Sequence, residues 1–173
     1  KIPLTMQLNH YASKFKKQTF SVVLIADQVA RPANIGGLFR TADAFGVKKI
    51  ILGGPRIELN RKTWNTSRAT ENAIIYKQIE ATSEVIKEYK SSGYQIIALE
   101  ITENSKPMHK IKIDERQPLV LIVGNERLGI DKSLLQLSDV ICHIEMCGQN
   151  SSMNVVQATS IALYEITNRI KHA

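Results

Sequence analysis

The feature that most constrains the fold of this chain is an alternation between short apolar runs and segments with helical spacing. The runs are rich in β-branched residues, which is typical of strands buried inside a sheet. Strands that alternate with helices predict an α/β fold, in which a mostly parallel sheet is flanked by helices. The five predicted strands are Phe20–Asp27, Val47–Gly54, Tyr94–Ile101, Pro118–Glu126 and Asp139–Met146.

The segments between and after these runs carry helix signals. Asp131 is placed to cap a short helix, and Ser151 or Ser152 is placed to cap a long C-terminal one. The polar stretch at 55–72 has no clear apolar period and is interpreted as loop. The predicted helices are Asn34–Gly46, Ser83–Gly93, Asp131–Ser138 and a C-terminal helix that ends near His172.

Length and composition suit one domain. The chain has 173 residues, and none of its apolar runs approaches the roughly 20 residues that a membrane-spanning helix needs. The start of the chain has no apolar core of the signal-peptide type, so we expect a cytoplasmic protein. We divide the chain into a basic N-terminal extension, residues 1–19, interpreted as helical, and a domain over residues 20–173.

Cysteine, histidine and charge bear on possible partners. Cys142 and Cys147 match no metal-ligand spacing, and the four histidines are scattered, so we expect no metal and read the cysteines as buried thiols. The formal net charge is +7 and the isoelectric point is near 9.5. Such a charge makes a polyanion a plausible partner, although many basic proteins bind no nucleic acid.

Three polar, glycine-containing segments follow predicted strands: Asn34–Arg40, Gly124–Gly129 and Met146–Asn154. Parallel sheets bind ligands at the carboxyl ends of their strands, and glycine lets a backbone approach a ligand closely. Taken singly, these segments need not bind a ligand, because Asn34 could simply cap a helix and Arg40 could be an ordinary solvent-exposed charge. The chain has neither a G-x-G-x-x-G turn nor a Walker lysine, which argues against a dinucleotide oxidoreductase and a P-loop enzyme.

Taken together, these segments resemble the three motifs of the SpoU/TrmH family of SPOUT ribose methyltransferases. The first motif, N-x-G-x-x-x-R-x-A-x-x-F-G, is matched by Asn34, Gly36, Arg40, Ala42, Phe45 and Gly46. The second, G-N-E-x-x-G, is matched by Gly124, Asn125, Glu126 and Gly129. The third, I-P-M-x-G-x-x-x-S-L-N-V, is matched by Ile144, Met146, Gly148, Ser152, Asn154 and Val155, with Glu145 and Met153 replacing proline and leucine.

The resemblance implies a parallel α/β sheet whose C-terminal part forms a deep trefoil knot. It also implies S-adenosyl-L-methionine as cofactor, held in the loops of the second and third motifs, and homodimers that pack C-terminal helices together. The cofactor residues implied by position are Leu119, Ile122, Val123, Gly124, Asn125, Glu126, Ile144, Met146, Gly148, Ser152, Met153 and Asn154.

The reaction implied is methyl transfer to a ribose 2′-hydroxyl of RNA. Its catalytic residues would be Arg40, Asn34, Glu126, Ser152 and Asn154. The resemblance implies that Arg40 would act either as the base or as a clamp on a substrate phosphate. The clamp is chemically simpler, because a guanidinium keeps its proton to above pH 12.

The RNA partner is inferred from the motifs and the basic residues. The sequences of the first two motifs most resemble those of family members that methylate a guanosine in the tRNA D-loop. Ribosomal RNA, the tRNA wobble nucleotide and a non-catalytic RNA-binding module remain alternatives. The predicted RNA-binding residues are Lys14, Lys16, Lys17, Arg56, Arg61, Lys62 and Arg68.

Overall fold

A single parallel sheet organises the molecule. The computed structural model describes residues 15–150 and 152–173. Within them lie seven strands: β1 (Phe20–Asp27), β2 (Val47–Gly53), β3 (Ile75–Ile79), β4 (Gln95–Leu99), β5 (Lys106–Pro107), β6 (Leu119–Val123) and β7 (Val140–His143). They form one sheet in the order β3-β2-β1-β6-β4-β7-β5, in which all neighbouring strands are parallel.

Helices cover both faces of the sheet, which confirms the predicted α/β class. Alternate strand residues point to opposite faces, so neighbours such as Leu24 and Ile25 belong to different core clusters. The helices are α1 (Pro32–Ala44), α2 (Arg61–Ser67), α3 (Thr82–Ser91), α4 (Lys132–Leu137) and α5 (Val155–Lys171). One cluster packs against α1 and α5, and the other against α3 and α4.

The segment after β2 differs from its interpretation as loop. It contains α2, a 3-10 turn at Thr70–Asn72, and then β3 at the edge of the sheet. Helix α2 buries only Thr63 and Ser67, and β3 is largely exposed, so neither element shows a strong apolar period. Residues 15–19 have no regular structure, and the rest of the extension predicted as helical lies outside the described residues.

Two glycines of the first motif have a role in packing rather than in ligand contact. A Cβ added at Gly36 would lie 2.3 Å from the Thr63 carbonyl oxygen of α2. One added at Gly37 would lie 2.8 Å from the Val156 side chain of α5. The prediction that these glycines admit a ligand is therefore wrong, because their open faces are already filled by two helices.

Candidate functional site

The three motif segments meet at the carboxyl edge of the sheet. The parallel pairing sets Ala26 of β1 opposite Val123 of β6, and Val123 opposite Leu99 of β4. The loops that follow these strands therefore leave the sheet side by side, as the strand order requires. The loop after β7 joins the same edge, because Cys142 is paired with Leu99.

Asn34 connects the first motif to the other two. It is 8% exposed, and its Nδ2 donates a hydrogen bond to the Glu126 carboxylate. Its Oδ1 accepts one from Asn154 Nδ2 at 3.1 Å. Asn154 in turn accepts from the Val156 N–H at 2.9 Å and so caps α5. We call Asn34, Glu126 and Asn154 the amide–carboxylate cluster.

The N-caps of α1 and α5 are not the residues that the sequence suggested. Arg31 is the N-cap of α1 and makes no side-chain cap bond, so Asn34 lies inside the first turn. The N-cap of α5 is Asn154, so a serine cap there is wrong. Ser152 instead donates from its backbone N–H, at 3.2 Å, to the Asn150 side-chain oxygen. Asp131 caps α4 as predicted, accepting from the Ser133 N–H at 2.8 Å.

The loop of the second motif is held rigidly by its own amide side chain. Asn125 Oδ1 accepts the N–H groups of Arg127 and Leu128, and its Nδ2 donates to the Gln28 carbonyl at 2.8 Å. Asn125 also exchanges two backbone hydrogen bonds with Gly129. A Cβ added at Gly124 would lie 2.5 Å from the Gly129 carbonyl carbon, so only glycine fits this close approach.

A second carboxylate secures the loop from the side of β4. Glu100 accepts the Ile101 N–H through Oε1 and the Ile130 N–H through Oε2, at 2.9 and 3.0 Å. On the β1 side, the buried Asp27 accepts the Asp131 N–H at 3.1 Å. Burial raises the pKa of Asp27 above its usual value, and this hydrogen bond opposes that effect.

These loops enclose a cleft of about 640 Å³ at the carboxyl ends of β4, β6 and β7. Its apolar wall includes Leu99, Ile101 and Leu128, and Leu128 is 77% exposed. Eight of the predicted cofactor residues line it: Val123, Gly124, Asn125, Glu126, Ile144, Met146, Ser152 and Met153.

Four predicted cofactor residues do not line the cleft. Leu119 and Ile122 are fully buried within β6, and their side chains pack into the core. Asn154 is committed to the amide–carboxylate cluster, and Gly148 has open space where a Cβ would lie. Sequence reasoning missed the contribution of Leu99–Thr102, although these residues follow a predicted strand and the same edge rule applies to them.

Arg40 is exposed on α1 and is absent from the cleft lining. Helix geometry places it about 9 Å along the axis from Asn34. It lies one turn from Gly37 and next to Thr41, which is 3.2 Å from Ser160 of α5 through their hydroxyls. Among the residues that the structure describes, Arg40 forms no ion pair.

The predicted RNA-binding residues fall into two groups. Arg56, Arg61, Lys62 and Arg68 are exposed in the segment that follows the carboxyl end of β2. Lys16 and Lys17 are exposed shortly before β1, at the opposite edge of the sheet, and Lys14 lies outside the described residues. The structure therefore gathers only the first group near the candidate site.

Neither cysteine belongs to the site. Cys142 is buried, with its sulfur 3.4 Å from that of Met108, and burial raises its pKa to about 12. Cys147 is exposed, so the expectation of two buried thiols is wrong for it. The described part of the chain holds no group of three or more side chains arranged to bind a metal ion. No described helix is long and apolar enough to cross a membrane.

Comparison with known proteins gives one family. The model of the SpoU rRNA methylase family matches residues 21–164. The chain is 26% identical over 168 residues to the tRNA (guanosine(18)-2′-O)-methyltransferase of Mus musculus, covering 96% of this chain and 10% of that protein. It is 32% identical over 152 residues to the 23S rRNA (guanosine(2553)-2′-O)-methyltransferase of Bacillus subtilis, covering 87% of this chain and 60% of that protein.

Solved structures agree with this assignment. The Aquifex aeolicus TrmH/SpoU tRNA modifying enzyme superposes with a TM-score of 0.81 at 26% identity, over 90% of this chain and 78% of that one. The AdoMet-bound rRNA methyltransferase of Sinorhizobium meliloti superposes with a TM-score of 0.79 at 28% identity, over 90% and 59%.

Proposed function

The chain belongs to the SpoU rRNA methylase family, and on that premise we propose that it transfers a methyl group from S-adenosylmethionine to a ribose 2′-hydroxyl of RNA. One observation carries the proposal. The amide–carboxylate cluster joins all three motif segments by hydrogen bonds beside a cleft built from the second and third.

The cleft suits S-adenosylmethionine. Apolar side chains such as Leu99, Val123 and Ile144 offer flat contacts for an adenine ring, and the loop backbones offer polar groups at their edges. When bound, this cofactor supplies a methyl group attached to a positively charged sulfonium. The rest of the cofactor is a good leaving group, because it departs as a neutral thioether. The chain's task is then to hold the donor, orient the ribose and manage the hydroxyl proton.

We assign the substrate side of the reaction to Arg40. Its guanidinium is exposed and unpaired among the described residues, so it is available to bind the phosphate next to the target ribose. A bound phosphate fixes the 2′-hydroxyl, and the positive charge stabilises the oxyanion that develops there. Asn34 and Asn154 act as positioning residues, because they connect the helix of Arg40 to the Glu126 and Ser152 loops.

We propose a homodimer formed through α5. Ile161 and Tyr164 on this helix are 43% and 59% exposed, and the Tyr164 ring lies 6.4 Å from Phe45, just after α1. Covering this apolar strip with a second copy would put Arg40 close to the interface. We retain the trefoil knot, cytoplasmic residence and the boundary at residue 20 as parts of the same proposal.

We propose a tRNA guanosine of the D-loop as the substrate, with ribosomal RNA as the main alternative. The motif sequences and the similarity to the mouse tRNA methyltransferase favour a tRNA substrate, whereas the similarity to the Bacillus 23S rRNA methyltransferase favours an rRNA substrate. The chain spans about a tenth of the mouse relative and 60% of the Bacillus relative. The RNA substrates of those longer proteins are therefore carried over to this chain only as a proposal.

The test is methyl transfer from isotope-labelled cofactor to total tRNA and, separately, to ribosomal RNA. Label at a 2′-O-methylated nucleotide, located by nuclease mapping, is the expected result. Calorimetry with S-adenosylmethionine and with NAD gives an independent readout, with binding expected only for the first. Cofactor binding without transfer to either RNA would favour a non-catalytic RNA-binding module.

A further inference from the structure

An aromatic cleft at the β3 edge of the sheet has no part in the proposed methyl transfer. The cleft encloses about 510 Å³ and is bordered by Arg56, Trp64, Tyr76 and Gln78. A second hollow of about 490 Å³ shares Arg56 and Tyr76 with it and adds Lys77. Tyr76 therefore stands between two concave surfaces, with a cationic side chain facing both.

The Tyr76 ring is fixed in place although it is 38% exposed. Its centroid lies 5.2 Å from that of Phe39 at 87° and 6.3 Å from that of Trp64 at 56°. Phe39 is fully buried and immediately precedes Arg40 in α1. A ring that is held on one side and open on the other is preorganised for stacking, since little side-chain freedom remains to be lost.

The polar groups around this ring suit a nucleotide. Arg56 is exposed and forms no ion pair with any described residue, although Glu58 and Glu80 also border the hollows. The Gln78 side-chain oxygen accepts the Ile57 N–H at 3.1 Å, which leaves its Nε2 as a donor. Arg61 and Lys62 of the neighbouring α2 are exposed as well, so cations dominate this surface.

A row of hollows connects this aromatic cleft to the cleft of about 640 Å³ that we propose for S-adenosylmethionine, which we call the cofactor cleft. A smaller hollow of about 200 Å³ lies between the ends of β1 and β2, bordered by Gln28, Ile57 and Asn125. Asn125 also borders the cofactor cleft, and Ile57 also borders the aromatic one. The strands along this path are adjacent in the order β3-β2-β1-β6, so their spacing puts its two ends roughly 14 Å apart.

We propose that a single-stranded segment of the substrate RNA follows this path, with a base that flanks the target nucleotide stacked on Tyr76. Arg56 binds the adjoining phosphate, and Gln78 offers a donor to the base edge. Stacking accepts any base, so the site contributes affinity and register rather than base identity. This inference rests on the proposed function for the identity of the ligand, but its test does not depend on methyl transfer.

The test measures binding of a short fluorescein-labelled oligouridylate by anisotropy. We expect Tyr76→Leu to weaken binding by about 5- to 160-fold, the range that corresponds to the loss of one stacked base. Tyr76→Phe keeps the ring and is expected to bind like the wild type. Tyr94→Leu is the matched control. Tyr94 likewise packs edge-on against another aromatic ring, with its centroid 4.8 Å from that of Tyr89, but it lies at the amino end of β4.

A second measurement uses only the wild-type protein, so its result does not depend on whether the Tyr76 variants fold. Photo-crosslinking of wild-type protein to RNA containing 4-thiouridine should label the peptide that contains Tyr76. Equal affinity of the wild type and Tyr76→Leu, or crosslinks confined to other peptides, would overturn the inference while leaving methyl transfer intact. Loss of methyl transfer on every RNA tested, with Tyr76-dependent binding retained, would overturn the proposed function alone. Binding of an unstructured protein strand to the β3 edge in place of RNA would also overturn the inference.

Discussion

Asn34 and Asn154 are 120 residues apart in sequence and are joined by a single side-chain hydrogen bond of 3.1 Å. Each uses its amide as donor and acceptor at once, so the Val156 N–H, Asn154, Asn34 and the Glu126 carboxylate form one relay. An ionised aspartate side chain has no hydrogen-bond donor, and serine has a single polar atom on a shorter side chain. Asparagine is therefore the residue type that this geometry requires.

Replacing Asn34 should disconnect this relay. Asn34→Ala leaves part-buried partners without hydrogen bonds, and we expect a loss of about 1.5–3 kcal/mol in the free energy of unfolding, measured by urea titration. Asn34→Asp should cost at least as much, since it places a carboxylate against Glu126. Asn65→Ala, at an exposed position of α2, is the matched control. Equal stability of Asn34→Ala and this control would contradict the relay.

Two glycines of the cofactor loops should respond differently to a methyl group. A Cβ at Gly124 would lie 2.5 Å from backbone atoms of Gly129 and Ile130, whereas one at Gly148 would meet nothing within 4 Å. We expect Gly124→Ala to lose about 1–3 kcal/mol of stability and most of its affinity for S-adenosylmethionine. Gly148→Ala should keep both, as measured by urea titration and calorimetry. Retained cofactor affinity in Gly124→Ala would argue against this cleft as the cofactor site.

Asp27 should impose a pH dependence on stability. Burial raises its pKa in the folded protein above 3.8, so between that value and the folded-state pKa the folded chain binds more protons than the unfolded chain. The stability of the wild type relative to Asp27→Asn should therefore fall as pH rises through this window and then level off. Urea titrations at a series of pH values measure this, with the exposed Asp43→Asn as control. A relative stability that rises with pH would contradict the assignment.

RNA binding should weaken as salt increases, because each neutralised phosphate releases counterions. The logarithm of the binding constant is expected to fall linearly with that of the salt concentration. Arg61→Ala should make the slope shallower by roughly 0.7–0.9, the contribution of one phosphate contact. Lys87→Ala, on α3 and paired with Glu84, should leave the slope unchanged. A binding constant insensitive to salt would exclude a phosphate-dominated contact.

The sequence was informative wherever local patterning and tertiary structure agree. Buried strands such as β1 and β6 are long apolar runs, so their positions were predicted to within two or three residues. The order of strands was not, since β6 lies between β1 and β4 only because of contacts distant in sequence. Elements that bury little, α2 and β3, carry too few apolar residues for a periodicity to show.

For the site, residue types were predicted better than contacts. The motifs led to Asn34, Glu126 and Asn154, and the structure joins these three by hydrogen bonds. Their connection could not be predicted, because an amide relay depends on how three loops leave the sheet. Gly36 and Gly37 show the converse error, since a glycine that admits a ligand and one that admits a helix look alike in sequence.

Arg40, as proposed above, contacts the RNA substrate in methyl transfer and does not hold the cofactor. Single-turnover transfer from labelled S-adenosylmethionine, measured in wild type and Arg40→Ala together with calorimetric cofactor affinity, separates these two roles. We expect Arg40→Ala to reduce transfer by at least 100-fold, consistent with loss of one charge-stabilising group, and to keep cofactor affinity within about twofold of the wild type. Transfer at the wild-type rate, or cofactor affinity lost together with activity, would contradict it.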